Sequence, residues 1–270
     1  MTRIHADPTL PARVEAAALP WDPSPMPGVE RRRIERDGDE VARVTSLVRY
    51  APGSRFSPHT HSGGEEFYVL EGTFCDEHGA YGAGTYVRNP VGSAHAPFTE
   101  EGCVILVKLW WMHPEDDQRA VEDTTEGWQP AHYGSRRPLF ESPRERVALA
   151  AIAPGRSWTR PYEGGLELFV ISGQIAVDGV EQPALTWLRC PGRGALQLSS
   201  GAGGVAWIKE NPGEFVSRIP MRLAQLMNPH SFLTRHLRWT KWKEIQGPFR
   251  ESLYYLVVLW SFIGALGGTN

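Results

Sequence analysis

The sequence predicts an all-β protein built from two small antiparallel β-barrels of the jelly-roll kind. Three observations point there. First, glycine and proline number 28 and 22 in 270 residues, a density of backbone punctuation that favours short strands and turns over long helices. Second, short β-branched and aromatic runs recur, each bounded by Gly, Pro or Asn. Third, the runs repeat. FYVLEG (67–72) corresponds to LFVISG (168–173), TYVRNP (85–90) to TWLRCP (186–191), and VILVK (104–108) to VAWIK (205–209), each pair 101 residues apart. APG (51–53) and APG (153–155) lie 102 apart, so the second copy lacks one residue. One offset across three separate strands indicates duplication of a domain.

The elements follow in order. Residues 1–39 carry Pro at 8, 11, 20, 23, 25 and 27 and read as an irregular arm, with a short helix near Ala12–Leu19. Residues 40–112 hold the first set of strand-like runs and form the first barrel. Residues 113–145, polar and proline-bearing, read as a linker. Residues 146–216 form the second barrel. Residues 217–270 are basic over Met221–Glu251 and uncharged from Ser252 to Asn270. A helix is expected over 253–266, giving the fold a hydrophobic helical C-terminal tail. Fourteen residues is short of the ~20 that a spanning helix needs, so packing against a barrel or a subunit interface is the first expectation. A tail anchor making membrane contact is the alternative, with the preceding Arg and Lys keeping the barrels on the cytoplasmic side.

Net charge is −3, without the basic excess a nucleic-acid surface needs. Cys75, Cys103 and Cys190 form no Cys-x-x-Cys pair and no disulfide framework. The N-terminus has no apolar h-region. A cytoplasmic protein is expected, as a homo-oligomer with a small-molecule ligand or substrate and no nucleic-acid partner.

The chemistry concentrates in the first repeat. It contains Gly53-x5-His59-x-His61-x3-Glu65-x6-Gly72, then Gly84-x5-Pro90-x-Gly92-x2-His95. In a strand, i and i+2 share a face, so His59 and His61 aim together. Ser62-Gly63-Gly64 is a turn, and Glu65 opens the next strand in phase with Phe67 and Val69. His95 enters a later strand after the turn at Asn89–Gly92. Three imidazoles and a carboxylate converging in one barrel suit Zn, Fe, Mn, Ni or Cu. In the second repeat His61 becomes Tyr162, Glu65 becomes Leu166, His95 becomes Leu196, and His59 falls at the missing residue. That barrel holds no metal at these positions. Glu66 faces outward by alternation, with Glu167 as its counterpart, and suits a surface or interface role. Cys75 reads as a packed thiol, and Trp110 and Trp111 as interface or core.

Both segments resemble the two cupin motifs, glycines and Pro90 included. The run HTHSGGEEFYVLEGTFCDEHGAYGAGTYVRNPVGSAHAPF is similar to the cupin-like domain of the ChrR-type anti-sigma factors and related stand-alone bicupins. That resemblance implies metal binding, often zinc, through the positions of His59, His61, Glu65 and His95. One position departs: the Asn that closes the second motif in germin-like cupins is Thr99 here, which is not a ligand. The ChrR-type regulators also carry a helical zinc domain with a Cys-x-x-Cys pair. Residues 1–39 have no cysteine and only His5, so the sigma-binding role is not expected.

One divalent ion is therefore expected, zinc first, with iron, manganese or nickel as alternatives. Tetrahedral zinc would be closed by four protein donors, giving a structural or sensing site for oxidants or small ligands. An octahedral metal would keep two open positions, as in a dioxygenase cleaving a small chelating, β-dicarbonyl-like substrate with non-haem iron. No catalytic residue beyond the donors stands out.

Overall fold

The computed structural model describes residues 2–39 and 42–211. The expected helix over 253–266, and the extension that carries it, lie outside the described residues. Among those described there are twenty-one strands, one 3-10 turn and no α-helix, and no helix long and apolar enough to cross a membrane.

The first half comprises β1 (Arg3–Ile4), β2 (Ala12–Glu15), the 3-10 turn Ala16–Ala18, β3 (Asp22–Pro23), β4 (Val29–Asp37), β5 (Arg43–Tyr50), β6 (His59–Thr60), β7 (Glu65–Asp76), β8 (Gly79–Gly82), β9 (Thr85–Asn89), β10 (Ala94–His95) and β11 (Cys103–Leu109). The second comprises β12 (Ala120–Asp123), β13 (Gln129–Ala131), β14 (Gly134–Glu141), β15 (Arg146–Ile152), β16 (Arg156–Tyr162), β17 (Leu166–Val177), β18 (Val180–Pro183), β19 (Thr186–Cys190), β20 (Gly194–Ser200) and β21 (Gly204–Glu210). Among the described residues these make one nine-stranded, one two-stranded and one ten-stranded sheet. The order β4-β5-β11-β7-β9 in the first matches β14-β15-β21-β17-β19 in the last. Equivalent strands β7/β17, β8/β18, β9/β19 and β11/β21 start 101 residues apart.

Three expectations are corrected. Residues 1–39 are not an irregular arm. Every proline there precedes β4, whose VERRRIERD run has no breaker and pairs along β5; its charges masked a strand. The helix expected near Ala12–Leu19 is instead β2 followed by a 3-10 turn, because Ala12–Glu15 finds a sheet edge at β19 and pairing overrides the alanines' helix propensity. Residues 113–145 are likewise not a plain linker. They contain β12, which pairs with β9, and β13 and β14, which open the second sheet. Pro138 is tolerated at the register shift between Pro138 and Phe140, where the ladder is interrupted.

The two units exchange edges. β2, which precedes the first barrel, pairs with β19 of the second; β12, which precedes the second, pairs with β9 of the first. Between them lies a shared apolar layer with Ile34, Leu47, Tyr68 and Leu106 from one side and Leu149, Phe169, Trp187 and Trp207 from the other. Each barrel has its own interior as well. The first is lined by Phe67, Val69, Phe74, Val87 and Val107, the second by Leu166, Leu168, Ile175, Leu196 and Leu198.

Charged groups are buried within the shared layer. Lys108 opposes Glu66 in register, and Lys209 opposes Glu167, yet each lysine reaches the other unit's glutamate. Lys108 Nζ donates to Glu167 Oε2 at 2.7 Å, and Lys209 Nζ donates to Glu66 Oε1. This reciprocal exchange is what a pseudo-two-fold between the units produces. Arg88 pairs with Glu145 at 2.6 Å and Arg189 with Glu35 at 2.6 Å. Glu66 does face out of its barrel, but into this layer rather than solvent. Burial pushes its carboxyl up, and Lys209 and Arg88 outweigh that, holding it below the usual glutamate range. Glu167 goes the other way: its burial exceeds the attraction of Lys108.

Candidate metal centre

His59 and His95 are direct cross-strand partners in the β6–β10 pair, and such partners share a face. His61 follows two residues on, locked by its N–H donating to Ser93 O at 2.8 Å and its carbonyl accepting from Gly92 N at 2.9 Å. The chain then turns sharply to reach Glu65. Gly64 has φ +73°, and a Cβ there would lie 2.3 Å from Met112 Sδ; one on Gly63 would lie 2.2 Å from Trp110 Cδ2. Only glycine fits this turn under Trp110 and Met112.

One donor atom from each of His59, His61 and His95 lies within 4.8 Å of the others. His61 Nε2 and His95 Nε2 are 2.8 Å apart. Glu65 Oε2 is 3.4 Å from His61 Nε2 and 3.5 Å from His95 Nε2. Metal–donor bonds of about 2.0–2.2 Å put neighbouring donors roughly 3 Å apart, so these separations suit one shared ion. His61, Glu65 and His95 are buried and His59 is exposed, which opens one side of the cluster to solvent.

The imidazoles are oriented from behind. His95 Nδ1 lies 3.0 Å from Asp76 Oδ2. Burial raises the Asp76 carboxyl, but hydrogen bonds from His95 and from the His78 N–H prevail and hold it below its usual range. Asp76 Oδ2 is placed to accept the Nδ1 proton of His95, an arrangement that would leave the Nε2 lone pair facing the cluster. His59 Nδ1 lies 3.0 Å from Ser57 O, an obligate acceptor, so its Nε2 is free in the same way. Asn89 Nδ2 donates to Glu65 Oε2 at 3.1 Å. Burial pushes the His61 pKa down. For His95 burial also lowers it, but the Asp76 hydrogen bond and the charge of Glu65 carry it above the ordinary value.

The structure thus brings the three expected histidines together with Glu65 beside them, and adds Asp76 and Asn89 as supporting residues that the sequence did not reveal. Simple alternation puts Asp76 on the face opposite Glu65. An extra residue at Leu70, where the β11–β7 register shifts, inverts the alternation and returns Phe74 and Asp76 to the interior. In the second unit Tyr162, Leu166 and Leu196 sit in or against the apolar interior, with no donor cluster among the described residues.

Residues 10–113 match the ChrR cupin-like domain family. This segment is a ChrR cupin-like domain. The cupin architecture extends over the rest of the described chain in solved structures. A candidate dioxygenase from Nostoc punctiforme superposes with TM-score 0.61 at 15% identity, covering 79% of this chain and 86% of its own. The Escherichia coli pirin YhhW in complex with nickel(II) gives 0.58 at 13% identity, covering 75% and 99%. Bacillus subtilis oxalate decarboxylase, a protein with Mn(II) centres, gives 0.54 at 13% identity, covering 74% and 77%. At such identities these neighbours establish the cupin fold. No curated protein matches the sequence. The His59–His61–His95 cluster of the cupin-like domain can bind a metal ion.

Proposed function

We propose that this protein is a metal-binding bicupin that holds one divalent ion in its first barrel, through His59, His61, Glu65 and His95, and acts as a sensor of oxidants or small ligands. The observation that carries this reading is the convergence of three imidazoles and a hydrogen-bonded carboxylate on one point. The second barrel is a cupin that has lost its donors. Zinc is the metal we assign. The nickel and manganese of the pirin and oxalate decarboxylase neighbours support those ions, with iron, as alternatives.

When bound, the ion would supply a Lewis-acidic centre, closed by the four protein donors if it is tetrahedral zinc and open to an exogenous oxygen donor if it is an octahedral ion. The chain's own residues do the rest. Asp76 and Ser57 O fix two ring tautomers, Asn89 steadies Glu65, and Phe67, Phe74 and Tyr81 keep the surrounding interior dry. The acids beside the cluster are all engaged: Glu65 faces the imidazoles and Asp76 is taken by His95, Tyr81 and the His78 N–H. That leaves no free general base beside the donors among the described residues, and favours sensing over catalysis.

A second reading is a dioxygenase cleaving a small chelating, β-dicarbonyl-like substrate with non-haem iron; the Nostoc neighbour's name favours it. Elemental analysis of protein purified without added metal tests the first step. One ion per chain is expected, falling to near zero in His61→Ala with a lowered Tm, since an ion bound at 100–1,000 times its Kd adds about 3–4 kcal/mol. Two ions per chain, or none, overturn the reading. Oxygen uptake by the iron-loaded protein with a chelating substrate would reject the sensor; zinc occupancy with no uptake in any metal form would reject the dioxygenase.

A further inference from the structure

The strand that the sequence disguised, β4, carries a row of arginines into the first barrel. Val29, Arg31 and Arg33 oppose Tyr50, Val48 and Ser46 of β5. Tyr50, Val48 and Val29 belong to the same interior cluster as Phe67 and Phe74, so the arginines between them share that inner face. The register shift between Arg33 and Glu35 adds one residue, and Arg36 returns to the same face opposite Val44. Three half-buried guanidiniums therefore follow one another along the inner side.

Two of them are occupied. Arg33 Nη1 donates to Asp22 Oδ2 at 2.7 Å, and Arg36 Nε donates to Gly38 O at 2.9 Å. Arg31 forms no ion pair among the described residues. Burial lowers its pKa; Tyr50 partly offsets this, and Arg33 adds to it. An arginine remains charged regardless, so the position holds a partly desolvated cation whose register partner on β3, Asp22, is engaged by Arg33.

Tyr50 connects this cation to the metal donors. Burial pushes its phenol pKa up, Glu65 adds to that and Arg31 opposes it. Its ring lies 5.5 Å from Phe56 and 5.8 Å from Phe74. Those rings in turn lie 6.1 Å from His59 and 5.9 Å from His95. An apolar, aromatic wall with a cation at one side and metal donors at the other suits a small organic anion.

We propose that the first barrel binds a small carboxylate, its carboxyl group on Arg31 and its remaining end toward the His59–His61–His95 donors. The inference rests on the proposed metal site and names the class of ligand that site takes. A guanidinium is matched to carboxylate geometry by its paired N–H donors.

The test uses the full-length, zinc-loaded protein, with pyruvate as probe and pyruvamide as its uncharged analogue, titrated by calorimetry. Every sample's zinc content is measured alongside. Pyruvate should bind and pyruvamide should not. Arg31→Gln should weaken pyruvate at least tenfold while retaining its zinc, Arg31→Lys should fall between, and Arg193→Gln, a change at an exposed second-barrel residue, should match wild type. Equal binding of pyruvamide, undiminished binding in Arg31→Gln, or no pyruvate binding up to about 10 mM, an affinity limit near −2.7 kcal/mol, would overturn the carboxylate site while leaving the metal reading intact. Absence of zinc from the wild-type protein would overturn both. The pyruvate–pyruvamide comparison needs only wild-type protein, so it decides the question even if the Arg31 variants fail to fold.

Discussion

Replacing Lys108 by methionine tests the charge exchange between the barrels. Lys108 is 2% exposed, and its Nζ lies 2.7 Å from Glu167 Oε2, 3.3 Å from Glu35 Oε1 and 2.6 Å from Thr45 Oγ1. Methionine keeps most of the stem's packing but leaves the Glu167 carboxylate buried without its cation. Removing one partner of a buried pair costs about 3–5 kcal/mol. At roughly 2–4 °C per kcal/mol for a domain of this size, Tm should fall by about 6–20 °C. Glu35 is protected, because Arg189 still pairs with it at 2.6 Å. The double change Lys108→Met with Glu167→Leu removes both charges and should recover most of the loss. It should stay about 1 kcal/mol short, because Trp187 Nε1 then loses its acceptor, Glu167 Oε2 at 3.2 Å. Urea and thermal unfolding of the four proteins in the cycle measure the coupling. A single variant within about 1 kcal/mol of wild type would show that the pair is not desolvated. A double variant as unstable as the single one would refute the uncompensated-charge argument itself.

Other outcomes follow from the same geometry. Asp76→Asn should weaken metal binding by about 10–100-fold through loss of the carboxylate that fixes His95, with little change in fold by circular dichroism; retained affinity would count against the orienting role. Gly64→Ala forces a Cβ at φ +73° onto Met112 Sδ and should cost at least about 1 kcal/mol and loosen the metal, whereas Gly82→Ala, where nothing lies within 4 Å, should be nearly silent; chemical denaturation with metal analysis compares the two. Glu66 is held below the usual glutamate range, chiefly by Lys209 against its own burial. Its contribution to stability is therefore present above the unfolded-state pKa and is lost as pH falls through the lower folded-state value. Glu66→Gln should flatten the acid limb of the stability–pH curve relative to wild type; an unchanged limb would assign acid sensitivity to other groups.

The convergence of the candidate donors was legible because it is written in local spacing. His59-x-His61 is a strand period, Gly63-Gly64 is a turn, and one offset relates three strands to their copies. The supporting residues were illegible for specific reasons. Asp76 is brought inside by the bulge at Leu70, which no alternation rule anticipates. Arg31 lies in a run of charges that reads as solvated surface, although register with β5 puts it on the inner face. The edge strands β2 and β12 are invisible locally because each gains its partner from the other unit. Tertiary pairing, not the residues' own propensity, makes them strands.

The second unit has changed inside and kept its outside. Its counterparts to His61, Glu65 and His95 are Tyr162, Leu166 and Leu196, an apolar filling. Its counterparts to Glu66, Arg88 and Lys108 are Glu167, Arg189 and Lys209, all buried and all ion-paired. A unit retained for its own ligand would be expected to keep polar donors in its interior, and a unit retained as a scaffold would keep the face that grips its neighbour. The consequence for the metal centre runs through β9. Arg88 is anchored outward to Glu145 and Asp116, while the next residue, Asn89, points inward and holds Glu65 at 3.1 Å. β12 closes the same strand's free edge, with Ala120 and Val121 opposite Arg88 and Val87. The strand that steadies the carboxylate donor is thus fixed on its outer face by charges reaching Glu145, and along its edge by a strand that precedes the second barrel. The second barrel contributes to the candidate metal site through this rigidity, with no donor of its own among the described residues.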